Sequence, residues 1–447
     1  MEKGTTNSAD LLYAVNDRPE LKDAIVAAIQ HLFAVLVAIV TPALIVSSAL
    51  DLDIQQKNTL VATSLMMSGV ATFVQCKRFG RIGCGLLCVQ GTSFSFIGPI
   101  IAIGQIGGLS AVFGAIIAGA PVEMLVSVSF RYLRKIITPL VSGVVITLIG
   151  LCLIKVGIIS CGGGSMGDAN FASMQNLGVA FLVFVCVIIF NSSHNRYLRM
   201  CSILIGIVIG YVVAFLLGMV DVSALSTTGS YHFTVPIPFH EGVQFSFSSF
   251  LAIAIVFLVT AIEATGDVTA NSMLSGLPIE GDDYMKRVSG GVMADGFCSM
   301  ISGMFGGFPN SIFAQNNGII QLTGVASRYV GYFIALMLVL LGFFPGVSMI
   351  FTLMPSPVLG GATLLMFGSV AAAGIRILSS QELDRSAILI IAASLSLGIG
   401  VEMVPDILSK MPEGVKTVFG SGITTGGITA ILANILFQTV KALKQKK

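Results

Sequence analysis

Long apolar runs recur along almost the whole chain and are separated by short polar connections. About 20 consecutive apolar residues are enough for a helix to cross the hydrocarbon core of a bilayer. The runs begin near residues 24, 58, 83, 107, 136, 177, 200, 247, 288, 311, 327, 348, 385 and 417. This pattern predicts an all-α polytopic membrane protein with about fourteen transmembrane segments, of which the third and the tenth are irregular.

The composition supports this interpretation, since 55% of the 447 residues are hydrophobic and only 10% are charged, against about 25% charged residues in soluble domains. A net charge of +2 with scattered Lys and Arg excludes the basic surface that nucleic-acid binding needs. The eight cysteines form no CxxC pair and have no His partner at metal spacing, so we interpret them as packing residues. The sequence contains no nucleotide-binding loop, zinc-protease motif or hydrolase elbow. We therefore predict a transporter driven by an ion gradient, without enzymatic activity, cofactor or metal.

The basic residues indicate the orientation of the chain. If the N-terminus is cytoplasmic, about fourteen crossings place all but four of the 24 Lys and Arg residues in the cytoplasm. The exceptions are Lys57, Lys155, Lys410 and Lys416. Because cytoplasmic loops carry an excess of Lys and Arg, the sequence predicts an even number of segments with both termini in the cytoplasm.

Two distant stretches share the spacing P-x3-G-x6-G at the start of an apolar run. The residues are Pro139, Gly143 and Gly150 in one stretch and Pro357, Gly361 and Gly368 in the other. The offset of 218 residues, from Pro139 to Pro357, carries the fifth segment onto the twelfth. That is an odd number of crossings, so the two copies run in opposite directions.

The same offset carries Ser93 onto Ser311, at the two irregular segments. A pattern as short as P-x3-G-x6-G also arises by chance, but this second coincidence favours a true repeat. Inverted repeats are common in secondary transporters, and short segments interrupted by Gly or Pro at matching positions point to the substrate site near the midplane. The sequence therefore predicts a site between the segments near Ser93 and Ser311.

An acidic residue lies inside the eighth apolar run. Glu263 follows Val256-Phe-Leu-Val-Thr-Ala-Ile, where a central carboxylate costs roughly 2.5 to 3.5 kcal/mol on insertion scales. A carboxylate facing a cavity can accept two N–H groups from a heterocycle such as a purine; the alternative is a structural bond to a neighbouring hydroxyl or basic group. Asp267 follows one turn later on the same face, and either a place beside the site or an interfacial position fits it.

Two further ionisable residues lie at intramembrane positions. Asp295 follows Lys286 and Arg287 by about two turns and is expected deep in the ninth segment, where we interpret it as a proton-linked or hinge-orienting carboxylate. His31 follows Gln30 in the first segment, and its imidazole could titrate or donate a hydrogen bond. Structural bonding of His31 to a neighbouring helix is an equal alternative.

Three consecutive amides, Gln315, Asn316 and Asn317, precede Gly318 in the tenth segment. A side-chain amide can donate to a ring carbonyl and accept from a ring N–H. If a half-helix begins at these residues, its free N–H groups and dipole add donors, as they would after Ser93. Phe94 offers a flat apolar face for stacking.

The stretch Gln315-Asn-Asn-Gly318, with Thr323-Gly324 after it, resembles the signature of the nucleobase-ascorbate transporter family, [QEP]-N-x-G-x4-T-[RKG]. The resemblance extends over nearly the whole chain and is closest to the bacterial xanthine permeases. The other matching stretches are Gln30-His31, Phe94, Glu263-Ala-Thr-Gly-Asp267, Gly291-Val-Met-Ala-Asp295 and Val325-Ala-Ser-Arg-Tyr329.

The resemblance implies fourteen segments in a 7+7 inverted repeat, with a core domain, a gate domain, and half-helices and short strands in segments 3 and 10. The core domain would comprise residues 24–130 (segments 1–4) and 223–346 (segments 8–11). The gate domain would comprise residues 131–222 (segments 5–7) and 347–440 (segments 12–14). Residues 1–23 and 441–447 would be cytoplasmic ends, and the gate domains are expected to pair in a homodimer.

The resemblance also assigns roles. Glu263 and Gln315 would hold the purine, Phe94 would stack on it, and backbone near Ser93 and Ala314 would donate to it. Asp295, His31 and Asn316, with Asp267 beside them, would support transport or proton coupling. Some xanthine-transporting relatives have Asn at the position of Ser93, which leaves the choice among purines open.

We therefore expect proton-coupled uptake of a purine nucleobase, xanthine in the first place, across the inner membrane. The alternatives are a urate or uracil permease of the same family and an anion transporter of similar architecture, although Glu263 opposes a bound anion. A membrane-embedded enzyme or passive channel would need a catalytic dyad or a continuous polar stripe, and neither is visible in the sequence.

Overall fold

The computed structural model describes residues 11–133, 138–164, 166–167, 170–195, 198–199, 201–220, 235–379 and 381–445. The predicted domain boundary at 222–223, residues 1–10 of the predicted N-terminal segment and residues 446–447 of the tail lie outside this part. Of the basic residues that the orientation argument places in cytoplasmic loops, Arg134, Lys135 and Arg196 also lie outside it.

The described part is almost entirely helical. In the first half, the helices are α1 (Leu21–Ala49), α2 (Ile54–Lys77), α3 (Ile97–Leu133), α4 (Pro139–Gly162), α5 (Met174–Asn191) and α6 (Ser202–Leu216). In the second half they are α7 (Phe247–Leu274), α8 (Asp282–Met304), α9 (Ala314–Thr323), α10 (Arg328–Phe343), α11 (Pro345–Thr352), α12 (Ser356–Ser379), α13 (Arg385–Met403), α14 (Glu413–Phe419) and α15 (Gly422–Gln445). Two short strands, β1 (Gln90–Thr92) and β2 (Asn310–Ile312), and 3-10 turns at Phe94–Phe96 and Pro405–Leu408 complete it.

Local sequence signals explain where several helices begin and break. The side chain of Asp53 caps α2 by accepting from the Gln56 N–H at 2.8 Å, and Asp384 caps α13 through the Ala387 N–H at 2.7 Å. Such caps satisfy N–H groups that have no partner inside the helix. Gly108 interrupts α3 with φ +68°, a left-handed conformation that glycine adopts without steric cost.

Nine helices among the described residues are long and apolar enough to cross a membrane, or ten if the bent pair α10 and α11 counts as one span. Two helices of the second half are not counted: α9 has only 10 residues, and α8, with its many Gly and Ser residues, is not apolar enough. The prediction of an all-α, multi-pass membrane protein is confirmed.

The two strands pair antiparallel with each other. The register places Gln90 opposite Ile312, Gly91 opposite Ser311 and Thr92 opposite Asn310. Thr92 and Asn310 are separated by the same 218 positions as the two P-x3-G-x6-G stretches. A residue that pairs with its own repeat equivalent must lie next to a two-fold axis, so β1 and β2 meet where the two halves of the chain are related.

The two helices that carry the repeated glycines also lie against each other. A Cβ on Gly143 would meet Leu378, on Gly150 Ala371, and on Gly157 Leu364. The partner number falls as the glycine number rises, so α4 and α12 run antiparallel. Glycine lets helix backbones approach closely in a membrane, which explains the glycines of α4 at this contact; in α12, a Cβ on Gly361 would instead meet Ala180 of α5 and one on Gly368 would meet nothing within 4 Å.

Aromatic packing ties the β1 region to the long helices of both halves. The Phe96 and Phe257 ring centroids are 4.6 Å apart, which joins the start of α3 to α7. Phe113 and Phe308 stack with centroids 6.2 Å apart, which joins α3 to the residues before β2. Phe96, Phe113, Phe257 and Phe308 are all essentially inaccessible to solvent. They form a rigid support around the two strands.

Candidate functional site

Each strand leads directly into a helix start. β1 is followed by Ser93 and the Phe94–Phe96 turn that opens α3, and β2 is followed by Phe313 and α9. The first N–H groups of a helix have no partner within it and carry the positive end of its dipole. The antiparallel strands therefore bring two sets of free donors to one region of the fold.

The backbone N–H of Ser93 is not among these donors. It donates to the carbonyl oxygen of Pro309 at 2.9 Å, and the Phe313 N–H makes the corresponding bond to the Val89 carbonyl oxygen at 3.0 Å. Both bonds extend the strand pairing by one residue on each side. The Ser93 N–H is thus already used in the strand pairing, so backbone donors near Ser93 would begin one residue later, at Phe94.

Glu263 lies in α7 and faces the Phe94–Phe96 turn. The Ser95 hydroxyl donates to its Oε2 at 3.2 Å and lies 3.5 Å from its Oε1. Ser95 is buried, whereas Glu263 is only half-buried. The carboxylate thus has one hydroxyl donor and retains capacity to accept further N–H groups.

Residues Ala314 and Gln315 form the accessible first turn of α9. The Asn317 side chain donates to the Asp267 carbonyl oxygen at 3.3 Å and lies 3.5 Å from its Oδ1. Because Asp267 is one turn after Glu263, this contact sets the Gln315 turn beside the Glu263 turn. Asp267 accordingly ties α7 to α9, and the structure brings Glu263, Gln315 and the strand ends into one region.

Phe94 is half-buried and packs edge-on against Phe367 of α12, with the ring centroids 5.8 Å apart and the planes at 77°. Phe367 is fully buried near the middle of its helix. An edge-to-face pair is a favourable aromatic arrangement. It leaves one face of the Phe94 ring without this partner and brings α12 to the rim of the site.

Asp295 is completely buried in α8 and is held by two glutamines. Gln90 in β1 donates to its Oδ1, and Gln75 in α2 donates to the same oxygen at 3.2 Å. Gln75 also donates to the Gly291 carbonyl oxygen at 2.9 Å and accepts from the Cys84 N–H at 3.0 Å. Asp295 thus anchors β1 to α2 and α8, and it faces the protein interior away from lipid.

Asn316 in α9 and His31 in α1 are both buried. The Asn316 amide donates to the Leu87 carbonyl oxygen at 2.5 Å, and Asn271 of α7 donates to the same oxygen at 2.7 Å. The buried His31 imidazole lies next to the Asn316 side chain, although neither ring nitrogen reaches full hydrogen-bonding geometry with a described residue. Asn316 thus holds the segment that leads into β1, and the buried His31 lies beside Asn316.

Sequence reasoning missed a fourth acidic residue in this region. Glu123 in α3 is completely buried and accepts a hydrogen bond from the Thr260 hydroxyl, with its Oε1 at 3.1 Å. Thr260 lies one turn before Glu263 on α7. The criterion that singled out Glu263, an acidic residue in an apolar run, would also have found Glu123. Ser95, Gln75 and Gln90 carry no comparable signal.

Four carboxylates therefore lie close to the two strands. Among the described residues, Lys, Arg and His form no ion pair with Glu123, Glu263, Asp267 or Asp295. Ionised carboxylates at intramembrane depth are costly unless paired. The arrangement favours a neutral ligand that offers hydrogen-bond donors, and it disfavours a bound anion.

Comparisons with known proteins identify the family of the chain. A family model described as "Permease family" matches residues 22–407. Xanthine permease XanP of Escherichia coli (strain K12) is 46% identical over 447 residues, with 98% of this chain and 96% of that protein covered. Xanthine permease XanQ of the same organism is 45% identical over 439 residues, with coverages of 96% and 94%.

A solved structure shows the same fold at low sequence identity. The transmembrane domain of the cyanobacterial bicarbonate transporter BicA superposes with a TM-score of 0.59 and is 12% identical, with 94% of this chain and 99% of that chain covered. At this identity the likeness concerns the fold alone.

Proposed function

Because the chain belongs to the nucleobase-ascorbate transporter family, we propose that it carries a purine nucleobase, xanthine in the first place, into the cell together with protons. The family consists of permeases, and the protein is a transporter and not an enzyme. Two relatives of about half-identical sequence are named xanthine permeases, which supports xanthine over other bases.

The half-buried Glu263 carboxylate is the observation that carries the proposal. It lies at intramembrane depth with the Ser95 hydroxyl as donor and without a cationic partner among the described residues. A neutral purine with two neighbouring N–H groups would satisfy its remaining acceptor positions. The free-energy cost of removing the Glu263 carboxylate from water would then be offset only when the purine is bound. Glu263 would therefore contribute to substrate recognition.

The other candidate residues complete the binding mode. The Gln315 amide, on the accessible first turn of α9, would pair with a ring carbonyl and N–H from the opposite edge. Phe94 would stack on the purine face, and the first N–H groups of α9 at Ala314 and of the turn after Ser93 would donate to carbonyl oxygens. Four further residues would support transport or proton coupling without contacting the purine: Asp295, His31, Asn316 and Asp267.

The test is uptake of radiolabelled xanthine into cells that lack their own purine permeases. We expect Glu263→Gln and an uncoupler each to abolish accumulation in cells that express the protein in the membrane. Asp283→Asn, the same carboxylate-to-amide change at an exposed position on α8, is the matched control and should transport normally. Accumulation that survives the uncoupler would refute proton coupling, and normal uptake by Glu263→Gln would refute the binding mode.

Competition with unlabelled urate and uracil distinguishes the alternatives within the family. If either base outcompetes xanthine, the protein is a urate or uracil permease. The fold is shared with a bicarbonate transporter, so bicarbonate and sulfate are also tested. The cluster of acidic residues argues against anion transport, because a bound anion would add a like charge.

The architecture is part of the proposal. Fourteen segments in a 7+7 inverted repeat would comprise a core domain (24–130 and 223–346) and a gate domain (131–222 and 347–440), in the inner membrane with both ends cytoplasmic. In α5 and in α13, only 22% of the residues in the apolar stretch of the helix are buried. These gate helices would therefore face lipid or a second copy in a homodimer. Reporter fusions at both ends and cross-linking between copies test these points.

A further inference from the structure

The binding mode described above has no role for Glu123, although this residue is more deeply buried than Glu263. Its Oε1 accepts from Thr260, whereas its Oε2 is inaccessible and has no hydrogen-bonding partner among the described residues. Transmembrane carboxylates are rare because of their cost and commonly mark proton relays. A purely structural role would be served at lower cost by glutamine, which is isosteric and neutral.

Glu123 lies at the same level as Asp295 where α3 and α8 pack together. The Ser127 and Ser289 side chains each donate to the other residue's backbone oxygen, at 2.8 and 3.0 Å. About two turns further along both helices, a Cβ on Gly296 would lie 3.0 Å from the Ala120 carbonyl oxygen. These contacts bracket Glu123 on α3 and place it across from Asp295, the residue before Gly296.

Asp295 has the same incomplete hydrogen bonding as Glu123. Its Oδ1 accepts from Gln75 and Gln90, but its buried Oδ2 has no partner among the described residues. Two buried carboxylates within electrostatic range of each other, each with one oxygen that lacks a partner among the described residues, repel each other when both are ionised, and a proton on one of them relieves that repulsion.

The surrounding charges are all of one sign. Of the two helices packed against this part of α3, α7 contributes Glu263 and Asp267, and α8 contributes Asp295 and the Cys298 thiol. Asp295 and Glu263 lie within electrostatic range of Glu123. Among the described residues none of these carboxylates has a basic partner, so the charge of the group can be reduced only by taking up protons.

We propose that Glu123 holds the transported proton on its Oε2, within electrostatic range of Asp295, while Glu263 binds the substrate. This inference rests on the proposed proton-coupled uptake. In the outward-open state the Glu123 carboxylate takes a proton from external water and becomes the neutral acid. In the inward-open state the acid gives that proton to cytoplasmic water and becomes the carboxylate again. The Thr260 hydroxyl positions Glu123 in both states and links it to the Glu263 turn.

The experiment uses purified protein in liposomes that contain a pH-sensitive dye. Wild type, Glu123→Gln and the surface control Asp283→Asn are each given an inward xanthine gradient without a pH gradient. Internal acidification reports proton transport, and exchange of labelled for unlabelled xanthine reports translocation without net proton movement. We expect wild type and Asp283→Asn to show both activities. Glu123→Gln should keep exchange, independent of pH, and lose acidification.

A second variant protects the test against misfolding of Glu123→Gln. Thr260→Val removes the donor that stabilises the ionised Glu123, so the carboxyl should hold its proton up to higher pH, and the pH profile of uptake should shift upward. Acidification by Glu123→Gln equal to wild type, or an unshifted profile for Thr260→Val, would overturn the role of Glu123. Absence of acidification in wild type would instead refute the proposed proton coupling itself.

Discussion

Replacing Gly150 by alanine tests the close crossing of α4 and α12. A Cβ at this position would lie 2.3 Å from the backbone nitrogen of Ala371 and 2.6 Å from its Cα. Both atoms belong to the main chain, so no side-chain rotation can relieve the clash and the helices must separate. The repeat equivalent, Gly368, is the matched control, because a Cβ there meets no heavy atom within 4 Å.

Two effects of opposite sign determine how these substitutions change the free energy of unfolding. Alanine is favoured over glycine in a helix by roughly 0.5 to 1 kcal/mol, and this gain applies at both positions. Overpacking of a close contact costs about 1 to 3 kcal/mol, and it applies at Gly150 alone. Gly368→Ala should therefore be neutral or slightly stabilising, whereas Gly150→Ala should be destabilised by up to about 2 kcal/mol, the difference between these two effects.

The assay is thermal unfolding of the purified protein in detergent, together with xanthine uptake at matched expression. We expect a lower unfolding temperature and reduced uptake for Gly150→Ala, and wild-type values for Gly368→Ala. Gly143→Ala should be intermediate, since its Cβ would meet the movable side chain of Leu378 at 2.8 Å. Equal stability of Gly150→Ala and Gly368→Ala would show that the two helices do not cross as described.

Three further predictions concern polar contacts. Ser95→Ala should raise the xanthine concentration for half-maximal uptake by about tenfold or more, because a hydrogen bond to a charged group is worth roughly 1.5 to 3 kcal/mol and about 1.4 kcal/mol corresponds to a factor of ten; unchanged saturation curves would contradict the Ser95–Glu263 contact. Gln75→Leu removes one donor to Asp295, the donor to the Gly291 carbonyl and the acceptor of the Cys84 N–H. It should lower the unfolding temperature, and a wild-type unfolding temperature would count against this hydrogen-bond network. Asn271→Ala and Asn316→Ala each leave one donor on the Leu87 carbonyl, so the double variant should lose more stability than the sum of the singles, and simple additivity would argue against the shared acceptor.

The repeat shows how far the sequence could predict the fold. The spacing of Pro and Gly identified the two related helices, because glycine at a close crossing leaves a trace in the local sequence. It did not indicate that Gly150 faces the partner backbone whereas Gly368 faces open space. That difference depends on how each helix is rotated, and an apolar helix with small residues on several sides does not specify its rotation.

The functional site, too, could be predicted from the sequence only in part. Glu263 and Asp295 were found from sequence because carboxylates in apolar runs are costly and so stand out. Glu123 meets the same criterion and was overlooked. Gln75 and Gln90 differ, since neutral amides are common and their partner Asp295 lies more than 200 positions away in the chain. Asn316 was expected to support transport, but which acceptor it reaches, the Leu87 carbonyl, depends on a loop that the sequence does not predict.

The hydrogen bonds around the strands suggest how substrate and proton are coupled. Ser93 with Pro309, Phe313 with Val89, and Asp295 with Gln75 and Gln90 join β1, β2, α2 and α8 into one bonded unit. The turn that follows β1 meets α12, a helix of the proposed gate domain, through a contact of another kind, the edge-on rings of Phe94 and Phe367.

Apolar contacts slide at lower cost than buried hydrogen bonds break. In the proposed mechanism, Glu263 and the Glu123–Asp295 pair therefore keep their relative positions while the gate helices move past them. Binding of substrate and proton then changes little between the two states, and what changes is the side from which water reaches the carboxylates. Coupling in such a design requires that the empty, fully ionised site not cross, and the cost of moving unpaired ionised carboxylates out of contact with water supplies that barrier.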